Sequence, residues 1–262
     1  MIDFHNHILP NVDDGSKSYE MSIDMIKEAS KQGITDIINT VHFQHPKIKS
    51  NNIDYNNISL IRDKLDSKLK EIDVNVKIHL GAEVFFDYNL VELISNRLVT
   101  FSNYSYMLIE FNISHFPKDY EVVLFDLVKN GVTPIIAHPE RYREIQLDIN
   151  ILQKLIHSGC LIQVDAGSLI GKFGKNCKKT SIKIFEMNMA HFIGSDAHDD
   201  KKRNFCLKSA VKSIKHLIGD KEEILLSENP LKLIKGERVE PFEISNNEKT
   251  NFLSKIKKRL NL

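Results

Sequence analysis

The sequence has little cysteine, no tryptophan and no surplus of either charge. Its 262 residues hold 3 cysteines, Cys160, Cys177 and Cys206, with no C-x-x-C spacing. Neither a disulfide framework nor a zinc–thiolate site is expected from them. The charges balance, 36 Lys+Arg against 35 Asp+Glu, for a net charge of +1 with histidine neutral. A basic face for nucleic acid is therefore not expected. With 42% hydrophobic and 27% charged residues, an acidic disordered chain is excluded as well. No apolar run approaches the roughly 18 residues that a membrane-spanning helix needs. The opening Met1-Ile2-Asp3-Phe4-His5 has no basic region before an apolar run, so no secretory signal is read and a cytoplasmic location is expected. No G-x-G-x-x-G follows the first apolar segment and no G-x-x-x-x-G-K-[ST] occurs, which removes support for a nucleotide-binding sheet. No Pro/Gly/Ser-rich linker divides the chain, so one domain is expected over residues 1–236, followed by a tail over 237–262.

What is abundant is histidine, 11 in all. If metals are bound, the ligands must be His, Asp and Glu. The background pattern alternates helix and strand. Met21, Met25, Ile26 and Ala29 fit a helix over about Ser18–Gln32, which Gly33 stops before the apolar Ile34–Ile38. Gly131 before Val132–Ile136 and Gly159 before Cys160–Val164 repeat the arrangement. Each reads as a helix, a glycine in the left-handed region, then a short buried strand. Ile2–His5, Lys77–Ala82, Tyr106–Glu110 and His191–Gly194 bring the strands to about seven. Such alternation argues for parallel β/α units, as an open sheet or a closed barrel.

In a β/α barrel the chemistry sits at the carboxyl ends of the strands. His5 and His7 end the first strand, and alternate residues of a strand share a face, so both imidazoles can reach one ion. Asp13 and Asp14 follow in the next loop, Asp13 the weaker candidate of the two. His42 ends the second strand, Glu83 the third, Glu110 the fourth and His138 the fifth, and Asp196 and His198 follow the last. These oxygen and imidazole donors suit Mn²⁺, Fe²⁺ or Zn²⁺. They are more than one ion needs, so two or three ions are expected, with a bridging carboxylate. His45 and His115 lie in loops at the same mouth. The other histidines (His79, His157, His191, His216) are read as ordinary core or surface residues.

Met1-Ile2-Asp3-Phe4-His5-Asn6-His7 with Val12-Asp13-Asp14-Gly15 resembles the opening of the polymerase-and-histidinol-phosphatase (PHP) superfamily. Gly81-Ala82-Glu83, Leu108-Ile109-Glu110-Phe111, His138-Pro139-Glu140-Arg141-Tyr142 and Gly194-Ser195-Asp196-Ala197-His198 extend the likeness to about Pro230. Within the superfamily the chain is similar to the bacterial manganese-dependent protein-tyrosine phosphatases of capsular-polysaccharide operons. The resemblance implies an α/β fold, a distorted TIM-like (β/α)7 barrel with a trinuclear centre. It implies metal-ligand roles for His5, His7, Asp14, His42, Glu83, Glu110, His138, Asp196 and His198, Mn²⁺ foremost. It also implies that Arg141 and Arg203 bind the substrate phosphate, and that the substrate is a phosphotyrosine-bearing tyrosine kinase controlling exopolysaccharide synthesis. The segment after His42 matches no single pattern of the family.

The expected reaction is in-line attack on phosphorus by a metal-bridging hydroxide, with no phospho-enzyme. Glu83 is the bridging carboxylate by resemblance, and Asp196 or His198 is the proton donor to the leaving group. A thiolate phosphatase needs Arg six residues after its Cys; here those positions are Ala166, Lys183 and Lys212. The cysteine mechanism is therefore excluded, and no G-x-S-x-G suggests a serine hydrolase. A small-molecule phosphatase such as histidinol phosphatase, and a weakly active phosphotyrosine-binding regulator, are the alternative functions. In the tail, Phe252, Leu253, Ile256 and Leu260 at helical spacing stand among Lys255, Lys257, Lys258 and Arg259. That pattern fits a helix docked on the barrel, or a basic amphipathic helix on an anionic membrane.

Overall fold

A computed structural model describes residues 1–48, 53–101 and 105–245. Seven strands form one sheet in sequence order: β1 (Ile2–Asn6), β2 (Asp36–Phe43), β3 (Lys77–Phe85), β4 (Tyr106–Glu110), β5 (Thr133–Ala137), β6 (Leu161–Asp165) and β7 (Phe192–Gly194). Every pairing between sheet neighbours is parallel. The sheet curls until its two edges meet: Asn6 bridges Ala197, His7 N donates to Ala197 O at 2.8 Å and Asp196 N to His5 O at 2.7 Å. The result is the distorted barrel that the sequence led us to expect.

The helices α1 (Tyr19–Lys31), α2 (Tyr55–Glu71), α3 (Tyr120–Lys129), α4 (Arg143–Leu147), α5 (Asn150–His157), α6 (Ala166–Leu169), α7 (Lys175–Glu186), α8 (Leu207–Ile218) and α9 (Asn229–Lys235) complete the fold. Among the described residues between β3 and β4 there is only a 3₁₀ turn over Leu90–Leu93, one source of the distortion. α1 forms where expected: Ser18 caps it by accepting from Met21 N, and Met25, Ile26 and Ala29 are buried. Gly33, Gly131 and Gly159 all have positive φ, at 85°, 81° and 97°, as the helix-to-strand turns require.

The two faces of the strands divide the core. Ile37, Val41, Ile109, Ile136 and Ile162 pack with the helices. Ile38, Leu108, Ile135, Leu161 and Phe192 form a second apolar cluster, the floor of the barrel interior. Alternation then carries this inner face upward to polar residues, from Leu108 to Glu110, from Ile38 to His42 and from Leu161 to Gln163. β1 would break the rule, since Phe4 joins the floor and His5 the polar layer. The register shift between Asp3 and Asn6 resets its phase. β2 begins two residues later than expected and runs on to Phe43, and β3 runs on to Phe85, so His42 and Glu83 lie within strands.

Beyond Gly236 the chain crosses the amino-terminal end of the barrel. Tyr106 Oη donates to Glu237 O at 2.7 Å and accepts from Val239 N at 2.9 Å, and Ser245 N donates to Met187 O at 3.0 Å. The amphipathic stretch of the tail lies outside the described residues. Among the described residues, no helix is long and apolar enough to cross a membrane.

Candidate metal centre

The nine residues named from the sequence converge at the carboxyl end of the barrel. Their donor atoms fall into four overlapping groups, each within 4.8 Å: His7, Asp14, His42 and His198; His5, His7 and Asp196; His5, Glu83 and His138; and His42, Glu83 and Glu110. Glu83 reaches furthest, with Oε1 2.7 Å from His138 Nε2, and Oε2 3.2 Å from His5 Nε2 and 3.3 Å from His42 Nδ1. Asp14 lies at the open edge, its side chain 45% exposed, 3.4 Å from His42 and His198.

Local conformation and close approach build the cluster. His138 and Asp196 have φ of 31° and 46°, a region that costs a non-glycine residue energy. His138 follows β5 directly and Asp196 stands two residues past β7, and each turn aims the side chain over the barrel mouth. Gly15 and Gly194 leave room for the histidines. A Cβ on Gly15 would lie 2.1 Å from His7 O, and one on Gly194 2.5 Å from His5 Cβ.

A further layer orients the imidazoles. His7 Nδ1 lies 2.9 Å from Asp13 Oδ2 and His5 Nδ1 3.1 Å from Gln163 Oε1. The backbone N–H of His138 also donates to that Gln163 oxygen, which fixes the amide's orientation. Both Nδ1 atoms therefore carry the proton, and both Nε2 atoms present lone pairs. Those two Nε2 atoms lie 3.2 Å from each other, and each is within 3.4 Å of Glu83 Oε2. Such a meeting of acceptors is repulsive unless a proton or a metal cation sits among them; without metal, and against burial, Glu83 raises the His5 pKa and Asp13 that of His7. The donor set fits divalent metal ions, and its four carboxylates would balance two of them.

The electrostatics show the same crowding. Burial pushes the Glu83 carboxyl up, but the surrounding histidines, His5 foremost, outweigh it and hold Glu83 well below the usual range. Burial and the charge of Glu83 hold Glu110 well above it. Burial and neighbouring His7 lower His42 to about 3, and burial and Arg141 lower His138 to about 4. His42 and His138, kept neutral in this way, are in the state that ligates metals.

Arg141 and Arg203 meet at the rim. Arg141 Nη1 donates to Asp196 Oδ2 at 2.7 Å and Arg203 Nη2 donates to the same oxygen at 2.6 Å. The other Asp196 oxygen faces His5, His7 and His198 at 3.7, 3.6 and 3.3 Å. Asp196 thus joins the arginine pair to the donor cluster. Buried Asp165 lies 3.8 Å from Arg141.

With this geometry in hand, comparison with known proteins is decisive. The family model described as capsular polysaccharide synthesis, CpsB/CapC, matches residues 1–235. The chain belongs to the CpsB/CapC family. Among its relatives, a putative tyrosine-protein phosphatase CapC from Staphylococcus aureus is 40% identical over 209 residues, 79% of this chain and 81% of the relative. The tyrosine-protein phosphatase YwqE of Bacillus subtilis is 36% identical over 244 residues, 91% of this chain and 93% of the relative. A chain from the crystal structures of YwqE and of CpsB from Streptococcus pneumoniae, described as metal-dependent tyrosine phosphatases, superposes with a TM-score of 0.85. It is 34% identical, and the match covers 94% of this chain and 100% of that one. A histidinol phosphate phosphatase from Lactococcus lactis, at 17% identity and a TM-score of 0.53, shares the fold.

In this CpsB/CapC chain every expected ligand candidate and both arginines lie at one mouth. His45 reaches it as well, 3.7 Å from Glu110, whereas His115 is exposed. His79 pairs with Asp36 at 2.9 Å, away from the site at the start of β2. His191 is buried and accepts from Ile162 N at 3.0 Å. Sequence reasoning missed Gln163 and Phe173, and it left Asp13 without a role. Phe173 lies beneath both guanidinium groups. Gln163 carried a signal, being two residues before Asp165 on an inward-facing strand, but its partner lies 158 positions away.

Proposed function

We propose that this protein is a metal-dependent protein-tyrosine phosphatase acting on a phosphorylated tyrosine kinase of capsular or exopolysaccharide synthesis, in the cytoplasm. One observation carries the reading: nine His, Asp and Glu donors surround a space rimmed by two arginines that share one carboxylate. His5, His7, Asp14, His42, Glu83, Glu110, His138, Asp196 and His198 would hold two or three divalent ions, and the geometry of Glu83 suits a bridge. Mn²⁺ is the ion proposed, and Fe²⁺ or Zn²⁺ suits the same donors. When bound, such ions supply positive charge to phosphate oxygens and lower the pKa of water toward neutrality.

The side chains supply the rest. Arg141 and Arg203 grip phosphate oxygens with permanently charged planar forks. Burial raises the Asp196 carboxyl, yet His198 and Arg203 hold it well below the usual range. It stays ionised and anchors the arginines, so it does not protonate the departing phenolate. No side chain receives the phosphoryl group. The three cysteines are buried, and burial pushes the Cys160 and Cys206 thiols up to about 12. Water is then the acceptor.

The barrel is assigned to residues 1–236 and the tail to 237–262. Vesicle flotation of the full chain against one ending at Ser245 separates a membrane-resting tail helix from a docked one. Hydrolysis of a tyrosine-phosphorylated peptide against histidinol phosphate tests the function. Preference for the peptide is expected, and preference for histidinol phosphate would replace this reading with the small-molecule one.

A further inference from the structure

Two guanidinium groups converging on one carboxylate oxygen repel each other. The shared oxygen is Asp196 Oδ2, and it needs help to hold both. The help is a ring. Phe173 lies with its centroid 4.7 Å from Arg141 Cζ and 5.8 Å from Arg203 Cζ, so one aromatic face serves two cations. We propose that Phe173 is a positioning residue for phosphate recognition, the shelf that keeps Arg141 and Arg203 convergent. The inference rests on the proposed reading that these arginines bind the substrate phosphate.

Three features hold the ring there. It sits in the short turn between α6 and α7, between Gly171 and Gly174, with φ of 85° and 94° and a bond from Gly174 N to Gly171 O. Lys172 Nζ donates to Lys202 O at 3.3 Å and Asn204 O at 3.5 Å, the carbonyls on either side of Arg203. The ring turn is thereby stitched to the arginine loop. Behind the ring is Gly167, where a Cβ would lie 2.7 Å from the Phe173 ring edge and 3.2 Å from Asp165 Oδ1. The arrangement also leaves Arg203 Nε buried without a hydrogen-bond acceptor among the described residues. A buried donor of that kind is costly until something accepts from it. The atom is closed to solvent here, so a phosphate oxygen would supply that acceptor only as Arg203 turns toward the bound anion.

The test measures binding of inorganic phosphate to the metal-loaded protein by calorimetry, alongside turnover of p-nitrophenyl phosphate and of an alkyl phosphate. Phe173→Leu is expected to weaken phosphate binding about ten-fold, the scale of the cation–π contacts removed. KM for both esters should rise by a similar factor, with kcat and metal content little changed. Phe173→Tyr keeps the ring and should restore the affinity. Gly167→Ala keeps the ring but displaces it, and should fall between. Unchanged phosphate affinity in Phe173→Leu would overturn the proposal. So would a loss confined to the aryl ester, which would place the ring on the leaving group, or a loss accompanied by loss of metal. If the wild type binds phosphate but hydrolyses neither ester, the functional reading fails and the calorimetry still decides the shelf.

Discussion

Within the donor cluster the Asp13 carboxylate bonds only the His7 ring and the His42 backbone, yet its replacement should weaken metal binding sharply. Its carboxylate accepts from His7 Nδ1 at 2.9 Å and His42 N at 3.0 Å through Oδ2, and from Gly15 N at 3.0 Å through Oδ1. Three donors meet two acceptor oxygens. In Asp13→Asn one oxygen becomes an NH₂ group, so whichever way the amide turns, N–H faces N–H. Partners that orient metal-bound histidines are worth about 10- to 100-fold in metal affinity, roughly 1.4–2.7 kcal/mol. The unsatisfied buried donor costs a further ~1–3 kcal/mol of stability. The assay is competition for Mn²⁺ against a chromophoric chelator, with melting temperature followed in chelator to isolate the folding cost. Asp14→Asn serves as the comparison: as a proposed ligand at the exposed edge, it should lose affinity with little change in metal-free melting. Wild-type Mn²⁺ affinity in Asp13→Asn would refute the orienting role.

Other outcomes follow from the same geometry. Chelation should abolish p-nitrophenyl phosphate hydrolysis and Mn²⁺ restore it, while a thiol alkylator leaves it intact; inactivation on alkylation with metals retained would contradict the mechanism. Arg141→Ala should weaken inhibition by phosphate at constant metal content, and unaltered inhibition would remove Arg141 from the site. His191 gives a pH signature remote from the metals. Burial holds it at about 3, against an ordinary value of 6.5. The unfolded chain therefore binds the extra proton as pH falls below 6.5, and stability drops with it, by about 2 kcal/mol at pH 5. His191→Asn keeps an acceptor for Ile162 N and should flatten this fall in metal-free melting curves. Parallel curves for the two proteins would discount it.

The sequence by itself determined the elements and the donor inventory, because both are written in a few adjacent residues. Gly33, Gly131 and Gly159 mark helix-to-strand turns that demand positive φ, and the flanking apolar runs mark buried strands. His-x-His shows its shared face within three positions. The missing arginine after each cysteine is a matter of counting. Tertiary structure decided what depends on how distant segments approach. The resemblance favours Asp14 over Asp13 as a ligand, but nothing along the chain shows what Asp13 holds. The loop turns Asp13 inward onto His7 and His42 and leaves Asp14 at the edge. Gln163 finds His5 only because β6 and β1 flank β7 in the closed barrel, where Gly194 carries no side chain to separate them. Asp196 acquires its two roles only when the sheet closes and brings Arg141 and Arg203 to one of its oxygens and His5 and His7 to the other. Local conformation is set by each residue's own sterics and can be read in order along the chain. Convergence across a barrel is set by strand register and closure, and it appears only when the whole chain is folded.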